Sequence, residues 1–276
     1  MYFSAFVASS TAIPTVLVGF GLGIGFLFWA LLSLRRHRRV GGRISFFIFS
    51  LLLTDVLEMI LLAIITVIYM TVFWGNEEEE ENSGQNPALG FPYVFFVVCL
   101  ALMYFRLCGC CFHQLVALEG ILTLTNSDGT TGLSSPRASI PVSVILWVWG
   151  VVCVYFTFNQ DQSILMLASY LACVVLAIAS AIITCLKANA QSSRPTRKQI
   201  LRVLSVALVT LALLYGPVFT CVCLYAMGLP QGEFFYIAAA IMNFSLVTDP
   251  LLCVLVFWKR QTSTVNDRLD MSVVGA

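Results

Sequence analysis

The sequence predicts an all-α protein: a bundle of seven membrane-spanning helices with the N-terminus extracellular and the C-terminus cytoplasmic. Three observations predict this fold. Hydrophobic residues make up 59% of the 276 residues, whereas charged residues make up only 11%. Apolar runs long enough to cross a bilayer recur along the chain. Basic residues cluster in alternate connections between those runs.

The composition excludes an ordinary soluble domain, which is about 45–50% apolar and about 25% charged. So few charged residues cannot cover a protein surface that faces water, so lipid must be the main solvent. One span takes roughly 20 residues, and seven spans with short loops therefore fill the chain. We expect a single transmembrane domain over residues 1–276, with no room for a separate soluble domain.

Polar residues between the apolar runs mark the approximate limits of each span. We place the spans at about 13–34, 44–74, 92–124, 141–158, 164–186, 200–227 and 234–258, followed by a short cytoplasmic tail at 259–276. Several runs exceed the roughly 20 residues that a span needs, so we expect tilt or extension past the lipid. The stretch 75–87, which contains the acidic run 77–81, is expected to be an outer loop.

The distribution of charge predicts the orientation. Fourteen of the fifteen lysines and arginines fall in the segments 35–43 and 187–202, at Arg137, and in the tail. The remaining connections contain no lysine or arginine and carry acidic residues instead. Basic connections stay in the cytoplasm. One helix more or fewer would move the later connections to the other side and break this segregation.

Ten cysteines all lie in apolar runs, where cysteine behaves as a small buried hydrophobe. We therefore expect no disulfide framework. The sequence contains no metal-ligand spacing, phosphate loop or nucleophile constellation. It does not indicate an enzyme or a nucleic-acid-binding protein, and no resident metal or cofactor is expected apart from the sodium ion discussed below.

Ionisable side chains inside spans are costly and are candidates for functional sites. Asp55 and Glu58 on helix 2 are three residues apart and share a helical face, which must look into the bundle. Two carboxylates this close do not both ionise cheaply in a low-dielectric site, so a proton or a cation is expected there. Arg106 on helix 3 is the only basic residue inside any span.

Two functional residues leave alternatives open. Arg106 either anchors an anionic ligand group, for which its guanidinium fork is suited, or forms an internal ion pair with Asp55 or Glu58. His113 either senses protons or makes an interhelical hydrogen bond. Pro217 and Pro250 each remove a helical hydrogen bond and favour a kink, which could act as a hinge.

Five features occur in the order in which one family carries its signatures. They are 51–55 on helix 2, a tryptophan on helix 4 (Trp147 or Trp149), 214–217 on helix 6, 249–253 on helix 7, and 257–260 as the start of a short amphipathic helix. Residues 51–55 resemble the family motif L-x-x-x-D, residues 214–217 resemble C-W-x-P, and residues 249–253 resemble D-P-x-x-Y. By helix count, orientation and motif order, the whole chain resembles the rhodopsin-like (class A) G-protein-coupled receptors, as a divergent member.

The resemblance implies roles for several residues. It implies a sodium ion at Asp55, with Ser245 and Asp249 beside it. It implies a switch or hinge at Glu119, Gly120, Pro217 and Pro250. It implies an outer ligand pocket lined by Met103, Arg106, Tyr215, Phe219, Tyr236 and Asn243. It implies an inner face for a heterotrimeric G protein at Lys187, Arg197, Lys198 and Arg202.

The chain also departs from the family pattern. Where the family has D/E-R-Y at the inner end of helix 3, this chain reads Glu119-Gly120-Ile121, so the arginine that meets the G protein is absent. Cys253 stands in place of the helix 7 tyrosine. Helix 5 has no proline, and the outer disulfide of the family is not expected.

Three functions follow as alternatives. The first is a plasma-membrane receptor that transduces an unknown extracellular ligand and meets lipid, that ligand and a G protein. The second is a receptor-like scaffold that no longer couples, which the absence of the helix 3 arginine favours. The third is a transporter, although no internal repeat is evident. Every lysine lies at a cytoplasmic edge, so a retinal Schiff base inside the membrane is excluded.

Overall fold

The computed structural model describes residues 12–39, 44–79, 91–125, 135–159, 164–188, 194–226 and 234–256. Apart from residues 44–45, 135 and 243–244, the described residues are helical, and none of them forms a strand. The predicted all-α class is therefore confirmed for the described part of the chain. The predicted tail at 259–276 and the amphipathic helix expected from 257 lie outside it.

Five helices run without interruption. They are α1 (Ala12–Arg39), α2 (Phe46–Glu79), α3 (Phe91–Thr125), α4 (Pro136–Asn159) and α5 (Ile164–Ala188). The helix α6 begins as Arg194–Val209, passes through a π-helical segment at Thr210–Tyr215 and continues as Gly216–Ala226. The last helical region, α7, begins as Phe234–Met242 and resumes at 245–256 after a turn.

Six of the described helices, α1 to α6, are long and apolar enough to cross a membrane. Their outward faces carry large apolar side chains, such as Phe28, Val67, Ile145 and Val175. Buried positions hold many polar side chains, among them Asp55 and His113. This arrangement, with apolar groups outside and polar groups inside, is that of a multi-pass membrane protein whose solvent is lipid.

Four helix ends lie five residues or more from the sequence prediction. The helix α1 continues to Arg39 rather than ending at 34, and α4 begins at Pro136 rather than at 141. The other two are the end of α2 and the start of α6. The expected outer loop at 75–87 begins later, because α2 continues to Glu79. Glutamate is a good helix former and extends a helix that has already left the lipid. The helix α6 begins at Arg194 rather than at 200. Pro195 falls in its first turn, where the missing N–H has no helical partner to lose.

The helix α3 lies at the centre of the bundle and packs against α2, α4, α5 and α6, while α1 packs against α2 and α7. Close approach of α4 to α3 requires Gly150, where an added Cβ would lie 2.6 Å from Sγ of Cys108. Trp147 packs on the same side of α3, with its ring 5.5 Å from that of Phe112. The centre of the bundle is thus built on α3.

The nine cysteines in the described residues are all free, as predicted, and seven of them are buried. Most of the buried ones pack with aliphatic and aromatic side chains in two apolar clusters. One cluster gathers the Phe112–Ile121 end of α3 with the 246–254 part of α7. The other gathers the Leu107–Cys111 part of α3 with the Leu211–Cys221 part of α6. Buried polar side chains lie between these clusters.

Candidate functional site

The first part of the polar site joins α2, α3 and α7. Nε of Arg106 lies 3.6 Å from Oε2 of Glu58, and both side chains are buried, with residue exposures of 5% and 1%. The Nη2 group of Arg106 donates a hydrogen bond to Oδ1 of Asn243. Of the two carboxylates that the sequence offered as partners, Arg106 pairs with Glu58. The guanidinium therefore ties three helices together.

The second part joins α3, α6 and α7. Nδ1 of His113 lies 2.6 Å from Oδ1 of Asp249, and the hydroxyl of Tyr215 donates to Oδ2 of the same carboxylate at 3.2 Å. Both oxygens of Asp249 are therefore engaged by protein groups. The interhelical contact that the sequence offered as one alternative for His113 is present in the structure.

The two parts meet beside Gly109 on α3. A Cβ added there would lie 3.4 Å from the hydroxyl of Tyr215, 3.5 Å from Oε1 of Glu58 and 3.5 Å from Oγ1 of Thr54. These distances are ordinary van der Waals contacts, so position 109 on α3 borders the helix 2 carboxylate, the helix 6 phenol and the Thr54 hydroxyl.

Asp55 is the third carboxylate in this region and is 1% exposed. Within the described part of the chain, its Oδ2 atom has no hydrogen-bond partner, and neither do the buried hydroxyls of Ser50 and Ser245. Unpaired buried oxygens of this kind are ligands that a hard monovalent cation accepts. Of the residues predicted for the ion site, Asp55 and Ser245 each keep an oxygen without a partner among the described residues, whereas both oxygens of Asp249 are engaged by His113 and Tyr215.

The charges of this region do not balance. Asp55, Glu58 and Asp249 are carboxylates, and the only cationic partners given by the described contacts are Arg106 and, when protonated, His113. An uncompensated charge is costly in a low-dielectric interior. The region therefore has the capacity to hold one further positive charge, either a proton or a cation.

Two irregularities in the helices position the polar groups. The π-helical segment ends at Tyr215, and the N–H of Gly216 donates to the carbonyl of Leu211, five residues earlier. This wider turn lies immediately before Pro217, which lacks an N–H. In α7 the regular helix breaks at residues 243–244, directly at the partner of Arg106. Pro250 lies inside the helical segment that follows, so the observed break in α7 is not at the proline.

The described contacts divide the predicted ligand residues into two groups. Met103, Tyr215 and Phe219 share an apolar cluster, and the ring of Phe219 stacks on that of Tyr170 with centroids 4.4 Å apart. Arg106 and Asn243 contact each other. The backbone of Tyr236 lies in α7, but its side chain is outside the described set.

The last turns of α3 and α7 and the first turns of α6 are closely packed. A Cβ added at Gly120 would lie 2.7 Å from Cγ2 of Val256, and Gln199 donates to the carbonyl of Leu255 at 2.8 Å. Glu119 is buried beside them. Absence of a side chain at position 120 therefore lets the end of α7 close against α3.

The basic residues predicted for the inner face are partly described. Arg197, Lys198 and Arg202 are exposed on the first turns of α6. The side chain of Lys187, near the end of α5, is outside the described set. These exposed cations lie on the surface of the first turns of α6, close in sequence to Gln199, which contacts the end of α7.

Sequence reasoning missed two contributors. Gly109 was not singled out, although Arg106, Gly109 and His113 recur at helical spacing and share one face of α3. The hydroxyl of Tyr215 was assigned to a ligand pocket, whereas it bonds to Asp249. The spacing of residues along α3 could have indicated Gly109. The direction of the Tyr215 hydroxyl depends on the π-helical turn, which has no signature in the hydropathy of the sequence.

Neither protein-family models nor curated proteins match this chain. Within the described residues, no group of three or more His, Cys, Asp or Glu side chains is placed to hold a metal ion. The buried polar groups are therefore the features that indicate a functional site.

Proposed function

We propose that this chain is a seven-span receptor of the rhodopsin-like type in the plasma membrane, with its N-terminus outside. The observation that carries the proposal is the buried polar network of Glu58, Arg106, Asn243, Asp249 and Tyr215, which links α2, α3, α6 and α7. Buried polar groups in lipid are expensive and mark function. Residues 234–256, which are helical apart from the turn at 243–244, would form the seventh span, since about 20 helical residues reach across roughly 30 Å of hydrocarbon.

Such a network supports signalling because its members bridge helices that can rearrange. A ligand with an anionic group would compete with Glu58 for the guanidinium of Arg106 and release Asn243 at the break in α7. The side chains proposed to line the pocket are Met103, Arg106, Tyr215, Phe219, Tyr236 and Asn243. Binding that favours one arrangement of α6 and α7 over another shifts the population of the two.

A sodium ion would take part in the same scheme. It would bind Asp55 through the unpaired Oδ2 atom, with the free hydroxyls of Ser50 and Ser245 as further candidates. The ion would supply the positive charge that the carboxylates lack. Asp249 would contribute through its effect on the local charge, because His113 and Tyr215 already bind both of its oxygens.

A receptor-like scaffold that does not couple is the second candidate, and the inner end of the bundle favours it. Gly120 stands where the family has its arginine, and Val256 packs into the space above it. The exposed cations Arg197, Lys198 and Arg202 remain available for a G protein, but no arginine on α3 can reach one. In this case the chain would associate with other membrane proteins.

A coupling experiment separates these candidates. Dissociation of each class of heterotrimeric G protein is measured in cells that express the wild type, Tyr215→Phe or Tyr155→Phe at equal surface density. Tyr215→Phe removes the hydrogen bond that links α6 to Asp249 on α7, so basal signalling is expected to change at least twofold. Tyr155 is exposed on α4, and Tyr155→Phe should behave as the wild type.

The receptor proposal fails if neither the wild type nor Tyr215→Phe dissociates any G protein while both reach the cell surface. That outcome supports the scaffold. A signal that changes equally in Tyr215→Phe and Tyr155→Phe would contradict the role given to the Tyr215–Asp249 hydrogen bond.

A further inference from the structure

The C-terminal end of α1 is strongly basic, and its arginines form an exposed surface on the helix. The helix continues without a break to Arg39, so its arginines are fixed on a helix rather than carried by a loop. Arg35, Arg36, Arg38 and Arg39, here termed the arginine fan, are all exposed. His37, between them, is 3% exposed.

The arginine fan has a defined direction. At about 100° per residue, its four side chains cover an arc of about 160° on the helix, and His37 lies opposite the centre of that arc. Because His37 is buried in the bundle, it holds the end of α1 with the arginine fan facing outward. The guanidinium groups are therefore arranged before any ligand binds.

The arginine fan continues the lipid-facing side of α1. Phe28, Leu31 and Leu32 are exposed, and their helical angles fall within the same arc. One turn further along, the apolar side chains give way to arginine. The arginine fan therefore stands at the depth where lipid tails end and headgroups begin, on the side that faces lipid rather than the centre of the bundle.

No partner within the described residues neutralises the arginine fan. The two ion pairs found there involve Glu58 with Arg106 and His113 with Asp249, and no other contact engages the four guanidinium groups. A guanidinium binds phosphate through two parallel hydrogen bonds. Four such groups on one arc match a ligand that carries several phosphate charges.

We propose that the arginine fan is a binding site for anionic phospholipid headgroups, with phosphoinositides as the preferred class. Clusters of four to eight basic residues at the cytoplasmic end of a span bind lipids of this charge. The site is separate from the polar network and from the basic start of α6. Its place on the cytoplasmic leaflet follows from the proposed orientation, whereas the binding itself requires neither that orientation nor signalling.

Native mass spectrometry of the purified full-length chain in detergent tests the site. The probes are dioctanoyl phosphatidylinositol bisphosphate and dioctanoyl phosphatidylcholine at equal concentration. The wild type should bind the bisphosphate lipid at least ten times more than phosphatidylcholine. Replacing all four arginines of the fan with glutamine should reduce that binding about tenfold, because the phosphates lose their partners.

Two further variants keep the test decisive. Replacing the arginine fan with lysine preserves the charge that directs insertion but removes the fork, so binding should fall about threefold. The matched control removes the exposed cations of α6 through Arg197→Gln, Lys198→Gln and Arg202→Gln, and it should bind within twofold of the wild type.

Three results would overturn the proposal. The glutamine variant of the arginine fan could bind the lipid as the wild type does. The α6 control could lose as much binding as that variant, which would make the effect one of total charge. Free inositol trisphosphate could bind the wild type as tightly as the lipid does, which would indicate a site for soluble phosphates. None of these results depends on whether the chain couples to a G protein.

Discussion

Arg106 is the residue on which the first part of the network depends, because it serves Glu58 and Asn243 at once. Replacement with leucine would leave the Glu58 carboxylate buried without a cation. Removing one partner of a buried pair costs about 3–5 kcal/mol. We expect Arg106→Leu to lower the thermal unfolding midpoint of the purified protein by several degrees, measured by an unfolding assay in detergent.

The double variant provides the control. Arg106→Leu with Glu58→Leu removes both charges, and replacing a buried ion pair by apolar groups is often nearly neutral. It should therefore recover most of the lost stability. An unfolding midpoint unchanged in Arg106→Leu, or a double variant no more stable than the single one, would show that Arg106 does not compensate Glu58.

Asp55 carries the ion prediction. Its Oδ2 atom has no hydrogen-bond partner among the residues that the structure describes. Sodium binding should therefore stabilise the fold by about 1.4 kcal/mol when sodium is present at about ten times its dissociation constant. The unfolding midpoint is compared in sodium chloride and in choline chloride of equal ionic strength. The wild type should be more stable in sodium, and Asp55→Asn should show no difference. A sodium effect of equal size in both proteins would place the ion elsewhere.

At the scale of elements, the contact between α1 and α7 depends on two glycines. A Cβ added at Gly19 would lie 3.2 Å from Cβ of Asn243, and one added at Gly23 would lie 3.0 Å from Cβ of Leu246. Gly21 and Gly25, two residues along from each, meet nothing within 4 Å. Of these four glycines, only Gly19 and Gly23 therefore face α7.

This difference gives a matched pair of variants. Gly23→Leu must push α1 away from α7 and should destabilise the protein by about 1–3 kcal/mol. Gly25→Leu places the same side chain in open space that lipid fills, and its stability should stay within about 0.5 kcal/mol of the wild type. Chemical or thermal unfolding of the two purified variants measures this, and equal losses would contradict the described packing.

Hydropathy predicted the helices well because a span must be apolar along its whole length. The helix expected at about 92–124 is observed at Phe91–Thr125, and that expected at about 164–186 is observed at Ile164–Ala188. The π-helical segment Thr210–Tyr215 and the break at residues 243–244 were not predicted. Both change which carbonyl an N–H bonds to, and an apolar run has the same hydropathy in either register.

The polar site was predictable only in part. Rarity of charge inside the spans identified Asp55, Glu58, Arg106 and Asp249, and helical spacing showed that the first two share a face. The partners across helices depend on rotation and depth, which one sequence does not contain. Arg106 could have met Asp55 or Glu58 by spacing alone, and only the packed structure selects Glu58.

At the scale of the molecule, the described residues place polar groups in the interior and apolar groups outside, which is the arrangement that lipid requires. The segregation of fourteen basic residues to alternate connections is what the proposed odd number of spans predicts. The pocket, the ion site and the inner face proposed above all assume this number, because an even count would put both ends of the chain on one side.

Epitope tags on the two ends of the chain test that number directly. In intact cells, an antibody should reach a tag at the N-terminus, and a tag at the C-terminus should be stained only after permeabilisation. This result is what seven spans with an extracellular N-terminus predict. Staining of both tags in intact cells, or of neither before permeabilisation in a protein delivered to the surface, would contradict the odd span count and the receptor proposal with it.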